Sequence, residues 1–306
     1  MKPIIDPVDR HLIEQELTED KFLRSTNNAG NEIYVVTAQN SPNIMRELGR
    51  LREVSFRNAG GGTGAEVDID ELDLAENGYQ QLFVWDPKAK EIVGGYRYIV
   101  SHDSYTPMST EHYFHFSDKF RQEYLPYTIE LGRSFVQPLY QGSRSNPRGL
   151  YSLDNLWDGL GALVVNNPDI RYFFGKVTMY GSYKKEARDL LIYFLKQYFP
   201  DRDNLVEPIH PIKLNIDYNA MAELFVGGSY AEDYKILSRE IRKYQENIPP
   251  LINSYMSLSP SMKVFGTTKN PDFGDVEETA ILITIQDIYE AKSERHCKIE
   301  DRRHAE

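Results

Sequence analysis

Between residues 127 and 198 the sequence alternates β-rich runs with helical patterns, and this alternation limits the fold class more than any other feature. Residues 127–136 and 171–180 have the apolar, β-branched and aromatic character of strands, whereas 152–165 and 182–198 carry helical spacing. Strands and helices in this order are typical of sheets covered by helices. The sequence therefore predicts an α/β fold.

The residues before this region predict two strand pairs and one long helix. Residues 21–37 and 80–102 each contain two β-rich runs joined by a short polar turn, which indicates hairpins. Ser41 followed by Pro42 predicts a helix start with Ser41 as the cap. The glycine-rich run at 60–64 ends that helix, either as a simple turn or as a mobile lid over a substrate.

Sequence character changes after Pro200, where loops and helical patterns replace the β-rich runs. We predict an N-terminal extension over 1–40, a core over 41–200 and a C-terminal region over 201–306. Residues 280–285 form the one strand candidate of that last region, too little for a separate sheet. We therefore expect the C-terminal region to complete the core's sheet or to pack on it.

Composition excludes several classes of protein. With 35 Lys+Arg against 46 Asp+Glu, the net charge of −11 argues against a nucleic-acid partner. The single cysteine permits no disulfide framework, and the seven histidines show no metal-ligand spacing, so no metal site is predicted. No apolar run approaches the roughly 18 residues of a membrane span. We expect a cytoplasmic protein and leave contact with the inner membrane surface open.

Charged residues interrupt segments that otherwise suit a sheet interior. Arg97 lies in GGYRYIV, and Glu130 and Arg133 lie in YTIELGRSFV. A buried charge must be paired, or it costs several kcal/mol. A structural ion network and a functional site are equally consistent with this pattern. In a regular strand Glu130 and Arg133 point to opposite faces, unless a bulge near Leu131 and Gly132 changes their directions.

An acidic segment follows the glycine-rich run. Its four acids are Asp68, Asp70, Glu71 and Asp73, and their spacing does not match a calcium loop. A solvated loop and a pocket for a cationic group both remain open.

Together these charges resemble those of a known family. In order and approximate spacing they are similar to the GNAT-like N-acyltransferases that make ornithine and glycine lipids, often labelled hemolysin-like, which are related to acyl-homoserine-lactone synthases. The resemblance covers roughly residues 41–290. The matching motifs are Arg52 in LREVSFR, the triplet Asp68, Asp70 and Asp73, Arg97 in GGYRY, and Glu130 with Arg133 in ELGRS.

This resemblance implies a GNAT-like mixed sheet flanked by helices and an acyltransferase activity. The enzyme would move a fatty or 3-hydroxy fatty acyl group from acyl-carrier protein to the α-amine of glycine or ornithine in aminolipid synthesis. The usual acetyl-CoA pyrophosphate run is missing after the Glu130 strand, as in carrier-dependent relatives. We therefore expect the donor on the 4'-phosphopantetheine of acyl-carrier protein, with no bound cofactor. Signal-lactone synthesis and a non-catalytic acyl or carrier-protein binder are the alternatives.

Residue roles follow from this chemistry. An attacking amine must first lose a proton, and Glu130 is the first choice of base, with Arg133 beside it. Backbone N–H groups near a strand bulge would stabilise the oxyanion. The other groups bind the acceptor or organise the site, and they are Arg52, Asp68, Asp70, Asp73 and Arg97.

Two further groups would serve the donor. A helix N-terminus with nearby arginines suits phosphopantetheine, and this group comprises Arg144, Arg148 and Ser152. An acidic carrier protein needs a basic docking surface on this acidic chain, because like charges repel across an interface. The residues predicted for docking are Lys176, Lys184, Lys185 and Arg188.

Overall fold

A computed structural model describes residues 1–141, 149–226 and 228–297, and it divides the chain into two compact units. Unit 1 contains Met1–Ser101, Tyr127–Ile170 and the segment from Glu290, and unit 2 contains His102–Pro126 and Arg171–Tyr289. The units are thus interleaved along the chain. The predicted boundaries near residues 40 and 200 mark changes in amino-acid composition along the chain, and the division at these boundaries stays a prediction.

The α/β class is confirmed by the elements of these residues. The strands are β1 (Phe22–Ser25), β2 (Glu32–Val36), β3 (Gln80–Asp86), β4 (Glu91–Val100), β5 (Phe114–Phe116), β6 (Thr128–Val136), β7 (Tyr172–Met179), β8 (Val206–Pro208), β9 (Lys263–Asn270) and β10 (Val276–Thr284). The helices are α1 (Arg10–Glu16), α2 (Pro42–Ala59), α3 (Glu71–Leu74), α4 (Ser152–Asn166), α5 (Lys185–Tyr198), α6 (Tyr218–Leu224), α7 (Tyr230–Lys243), α8 (Pro250–Met256) and α9 (Glu290–Cys297). None of the helices in this described part is long and apolar enough to cross a membrane.

Unit 1 contains antiparallel strands in the order β1, β2, β3, β4, β6. Both predicted hairpins are confirmed, as is the strand that carries Glu130. Helix α2 buries an apolar face formed by Ile44, Leu48, Leu51 and Phe56. That burial fixes the direction of the remaining side chains of α2, including the charged ones.

The start of α2 differs from the prediction in one respect. Ser41 is the N-cap residue, but its side chain makes no capping hydrogen bond. Glu16 at the end of α1 caps the helix instead, because its carboxylate accepts from the backbone N–H groups of Asn43 (3.0 Å) and Ile44 (2.8 Å).

The glycine-rich run is a helix-ending turn, as one of the two interpretations predicted. Gly60 adopts the left-handed conformation, with φ of 96°, and its N–H donates to the carbonyls of Arg57 and Phe56. The buried carboxylate of Glu53 then accepts from the backbone N–H of Thr63 at 2.7 Å. These contacts fasten the run to α2.

Helix α9 returns to unit 1 and packs against α4. His296 Nδ1 lies 2.8 Å from Asp158 Oδ1, and the other oxygen of Asp158 accepts from the N–H of Asn27 at 2.8 Å. Asp158 on α4 therefore joins the β1–β2 turn and the last described helix.

Unit 2 contains β7, β10 and β9 as antiparallel neighbours in that order, and β5 pairs with β8. Strand β10 confirms and extends the candidate at 280–285. Strand β9 was not predicted, because KVFGTTKN is polar and interrupted by glycine. Helix α5 begins at Lys185, three residues later than the predicted start at Ser182.

Candidate active site

One face of the unit 1 sheet collects the charged residues predicted from four separate segments. Arg97 on β4 pairs with Gln81 on β3 and with Gly132 on β6. Cross-strand partners share a face, and alternate residues along a strand return to it. Glu130, two residues before Gly132, therefore lies on the face of Arg97. The side chains brought to this face are Arg52, Asp68, Asp70, Asp73, Arg97, Glu130 and Arg133.

A glycine on α2 lets the acidic segment approach closely. The backbone N–H of Asp68 donates to the carbonyl of Gly49 at 3.0 Å. A Cβ atom on Gly49 would lie only 2.6 Å from Cγ1 of Ile69, closer than non-bonded carbon atoms can pack. Because Arg52 lies three residues further along α2, this close approach places its guanidinium beside the acids.

The short helix α3 orients two of those acids. Asp70 caps it by accepting from the N–H groups of Leu72 and Asp73, each at 3.1 Å, and Asp73 Oδ2 accepts from the N–H of Asp70 at 3.2 Å. This reciprocal capping box fixes both carboxylates relative to the backbone. The acidic segment is therefore an ordered element rather than a solvated loop.

Each arginine of the cluster is paired with an aspartate. Asp73 Oδ2 lies 3.2 Å from Nη1 of Arg52 and 3.2 Å from Nη1 of Arg97. Arg97 Nη1 also lies 2.7 Å from Asp70 Oδ2, and Arg133 Nε lies 2.8 Å from Asp68 Oδ2. Three positive and three negative formal charges thus cancel. The arginines organise the acidic residues, which is one of their two predicted roles; contact with the acceptor's carboxylate stays a prediction.

A β-bulge gives Arg133 its direction. Gly95 pairs with Phe135 and Arg97 pairs with Gly132, so two residues of β6 oppose the single residue Tyr96 of β4. Arg133 adopts φ of 50°, in the left-handed region. The bulge considered in the sequence is therefore present, and it sends the Arg133 side chain to the acids instead of to the opposite face.

Glu130 joins the cluster through a residue that sequence reasoning missed. The hydroxyl of Tyr79 donates to Glu130 Oε2, and the Arg97 guanidinium carbon lies 4.7 Å from the centre of the Tyr79 ring. Gln81 was also missed: its Nε2 donates to Asp73 Oδ1 at 2.9 Å, and its Oε1 accepts from Arg52. Tyr79 directly precedes β3 and Gln81 is its second residue, so the two side chains share one face of the strand. This spacing of two is the signal that could have identified them.

Burial and charge set the ionisation of the central group. Burial raises the pKa of Asp73, but the positive charges of Arg52 and Arg97 outweigh burial and hold that pKa below its ordinary value. Burial lowers the pKa of Arg97, but the carboxylates of Asp73 and Asp70 outweigh it, so that pKa is raised. For Arg52 burial dominates, and its pKa is lowered despite Asp73.

Exposure distinguishes the members that a ligand can reach. The side chains of Arg52, Arg97 and Asp73 are between 0% and 3% exposed. Those of Asp70 and Arg133 are 33% and 18% exposed, and their nearest charged atoms lie 3.7 Å apart. The cluster therefore presents one carboxylate and one guanidinium at its open side.

The predicted donor-binding group is only partly described. Arg144 and Arg148 lie outside the described residues. Ser152 is the first residue of α4, while the N-cap is Tyr151, so Ser152 is not the cap that the sequence predicted. Its buried hydroxyl donates to the carbonyl of Tyr140 at 3.0 Å.

The four residues predicted for carrier docking do not form one exposed surface. Arg188 is buried and pairs with Asp189 and with Glu277, each at 2.6 Å. Lys176 is 12% exposed and lies 3.6 Å from Glu278. Lys184 and Lys185 are exposed at the start of α5. A buried guanidinium paired with two carboxylates offers no positive charge to an acidic partner, so the exposed part of the predicted surface reduces to the two lysines.

Comparison with known proteins agrees with this architecture. Residues 51–148 match the family model of the acetyltransferase (GNAT) domain. A glycine N(alpha)-acyltransferase of Bacteroides thetaiotaomicron is 56% identical over 304 residues, covering 97% of this chain and 90% of that protein. One of Phocaeicola vulgatus is 53% identical over 312 residues, covering 100% of this chain and 96% of that protein.

Among solved structures, the CoA-dependent acyl-homoserine lactone synthase BjaI, determined with SAM and isopentyl-CoA, is 17% identical. The match covers 49% of this chain and 68% of that chain with a TM-score of 0.29. The identity and coverage of the two curated relatives are decisive. This chain belongs to the family of those glycine N(alpha)-acyltransferases, and it is an N-acyltransferase with a GNAT-like α/β fold.

Proposed function

We propose that the protein transfers a fatty acyl group from acyl-carrier protein to the α-amine of glycine, as the first step of aminolipid synthesis in the cytoplasm. The observation that carries this proposal is the grouping of Glu130, the β6 bulge and the partly exposed pair of Asp70 and Arg133 on one face of the unit 1 sheet. The names of the two bacterial relatives support glycine over ornithine as the acceptor.

The exposed pair has the charges that an amino-acid zwitterion requires. Glycine carries an ammonium and a carboxylate separated by one methylene group. Arg133 can receive the carboxylate, for which guanidinium is the preferred partner, and Asp70 can receive the ammonium. The buried ion pairs beneath them hold both side chains in place, so that little rotamer freedom remains to be lost on binding.

Glu130 is the group that we assign to proton transfer. Glycine enters as an ammonium, and Glu130, which is 1% exposed, accepts one N–H proton directly or through a water molecule to give the neutral amine. The amine nitrogen then attacks the thioester carbonyl, the C–N bond forms, and the C–S bond breaks. The thiolate leaves with a second proton from the nitrogen, so the balanced reaction yields N-acylglycine, a thiol and one released proton.

The β6 bulge supplies a place for the oxyanion. A bulge interrupts the regular hydrogen bonding between neighbouring strands, here at Arg133 and Ser134. Backbone N–H groups directed at a developing oxyanion commonly contribute about 10² to 10³ in rate. In this proposal the acyl carbonyl lies against the bulge, with the amine between it and Glu130.

A thioester on the phosphopantetheine arm of acyl-carrier protein is the donor in this proposal. Its support is the absence of the usual acetyl-CoA pyrophosphate run after β6, where the sequence reads VQPLYQGSRSNPRG. The exposed Lys184 and Lys185 are the remaining candidates of the predicted group for contact with an acidic carrier. The amphipathic product would enter the inner face of the membrane.

The test is a reaction of purified protein with long-chain acyl-carrier protein and glycine, followed by mass spectrometry of N-acylglycine. Ornithine and S-adenosylmethionine replace glycine in parallel reactions, and acyl-CoA replaces the carrier. We expect Glu130→Gln to lower the rate by about 10² to 10⁴. Glu91→Gln is the control, because Glu91 is the first residue of β4 and forms its ion pair with Arg10, which does not belong to the charged cluster.

Product from ornithine alone would reject glycine, and lactone from S-adenosylmethionine would favour signal synthesis. Undiminished turnover by Glu130→Gln would remove Glu130 as the base. Carrier binding without any wild-type turnover would favour a binding protein.

A further inference from the structure

Tyr79 is buried at the point where the charged cluster meets Glu130. Its side chain is 1% exposed. The backbone N–H of Tyr79 donates to the carbonyl of Leu72 at 2.9 Å, and its own carbonyl accepts from Gln81 Nε2 at 3.1 Å. Both backbone polar groups of Tyr79 are therefore hydrogen-bonded, which fixes the position of its backbone.

The Tyr79 side chain contacts two charged groups at once. One face of the ring carries the Arg97 guanidinium, 4.7 Å from the ring centre, and the hydroxyl donates to Glu130 Oε2. Arg97 is held in turn by Asp70 and Asp73. The ring thus connects the acceptor side of the cluster to the proposed base.

A hydrogen bond from a fixed phenol does two things to a carboxylate. It sets the rotation of the carboxylate plane, and it stabilises the ionised form, which is the form that accepts a proton. The ring has little freedom to follow a moving partner, because it is packed beneath Arg97. The direction of the hydroxyl is therefore set by the fold and not by Glu130.

We infer that Tyr79 is a positioning residue of the acyl transfer, which orients the Glu130 carboxylate and holds it ready for the amine proton. This inference rests on the proposed function, because Glu130 is the base only in that reaction. No substrate contact by Tyr79 is needed. If the ring served only to fill space, its hydroxyl would be dispensable.

Tyr79→Phe tests the inference, because phenylalanine keeps the ring and its contact with Arg97 and removes only the hydroxyl. Tyr98→Phe is the matched control: Tyr98 is also buried, one residue after Arg97 on β4, and its hydroxyl donates to Gln80. We expect Tyr79→Phe to lower kcat by about tenfold to a hundredfold with KM for glycine nearly unchanged, because the Glu130 carboxylate is no longer held in the orientation that receives the proton. A kcat equal to that of Tyr98→Phe would overturn the inference.

Infrared spectroscopy gives a second readout that does not depend on activity. The carboxylate band of Glu130 is identified by its disappearance in Glu130→Gln, and we expect that band to shift in Tyr79→Phe but not in Tyr98→Phe. An unshifted band would also overturn the inference. A shifted band together with no N-acylglycine from the wild type would reject the proposed function and leave the Tyr79–Glu130 contact established.

Fluorotyrosine at residue 79 covers the case in which phenylalanine disturbs folding. It keeps both the ring and the hydroxyl, so we expect a kcat within a few-fold of the wild type. A loss of kcat as large as that of Tyr79→Phe would show that packing, and not the hydroxyl, is what the reaction requires.

Discussion

Asp73 is the residue on which the charge balance of the site depends most, and Asp73→Asn tests that dependence. Its Oδ2 lies 3.2 Å from the guanidinium groups of both Arg52 and Arg97, and these side chains are at most 3% exposed. Asparagine has the same shape and can still accept from Gln81 at Oδ1, where the present distance is 2.9 Å. The substitution therefore keeps the packing but removes the charge, together with the Oδ2 acceptor for the N–H of Asp70.

The expected magnitude follows from the two ion pairs. At an effective dielectric constant of about 20, each attraction at this distance amounts to roughly 5 kcal/mol before solvation is counted. Solvation offsets much of that gain in the wild type, but the variant keeps both arginines buried without their shared anion. Breaking a buried pair in this way costs about 3 to 5 kcal/mol, a large part of the roughly 5 to 15 kcal/mol that stabilises a typical domain.

Urea unfolding followed by tryptophan fluorescence measures this change in the right part of the molecule. The 2 tryptophans, Trp85 and Trp157, both belong to unit 1. The control is Asp203→Asn, which removes an exposed ion pair with Lys119 in unit 2 and should leave the tryptophan transition unchanged. An Asp73→Asn transition that coincides with the wild-type transition would refute the reasoning. Adding Arg52→Gln to Asp73→Asn should cost less than the sum of the two changes.

Two further predictions concern acid and packing. Because the pKa of Asp73 is lowered in the folded protein, its contribution to stability is complete above the ordinary carboxyl pKa of about 4 and is lost as pH falls through the lowered value. As the pH is lowered from about 5 to about 2, the urea midpoint of the wild type should therefore fall more steeply than that of Asp73→Asn. Parallel curves of midpoint against pH would contradict this prediction. Gly49→Ala places a Cβ 2.6 Å from Cγ1 of Ile69, so it should displace the acidic segment, cost about 1 to 3 kcal/mol and lower turnover, whereas Gly181→Ala meets no atom within 4 Å and should change neither quantity.

Much of the site could be predicted from the sequence, for a physical reason. A charge in a β-rich segment needs a partner once the segment is buried, so the sequence alone indicates that Arg97 and Glu130 belong either to an ion network or to a functional site. The register that joins them to Tyr79 was not visible. A tyrosine next to a strand is common in proteins, and the residues that it contacts depend on the register of the neighbouring strands.

Other differences have separate causes. The conformation of Arg133 depends on a bulge, which no residue-level pattern specifies. Strand β9 was missed because its sequence, KVFGTTKN, with two threonines and two lysines, shows no alternation of apolar and polar residues. Arg188 was misjudged although the signal was present: it lies three and seven residues before Leu191 and Leu195, on the buried side of α5.

The interleaving of the two units has a consequence for biosynthesis. A ribosome releases α4 well before α9, with all of Arg171–Tyr289 made in between. During synthesis the Asp158 carboxylate therefore cannot contact His296 until α9 has been made. Assembly of unit 1 therefore requires the segment from Glu290, and a stalled chain that stops before Glu290 would leave the face of α4 that contacts α9 uncovered.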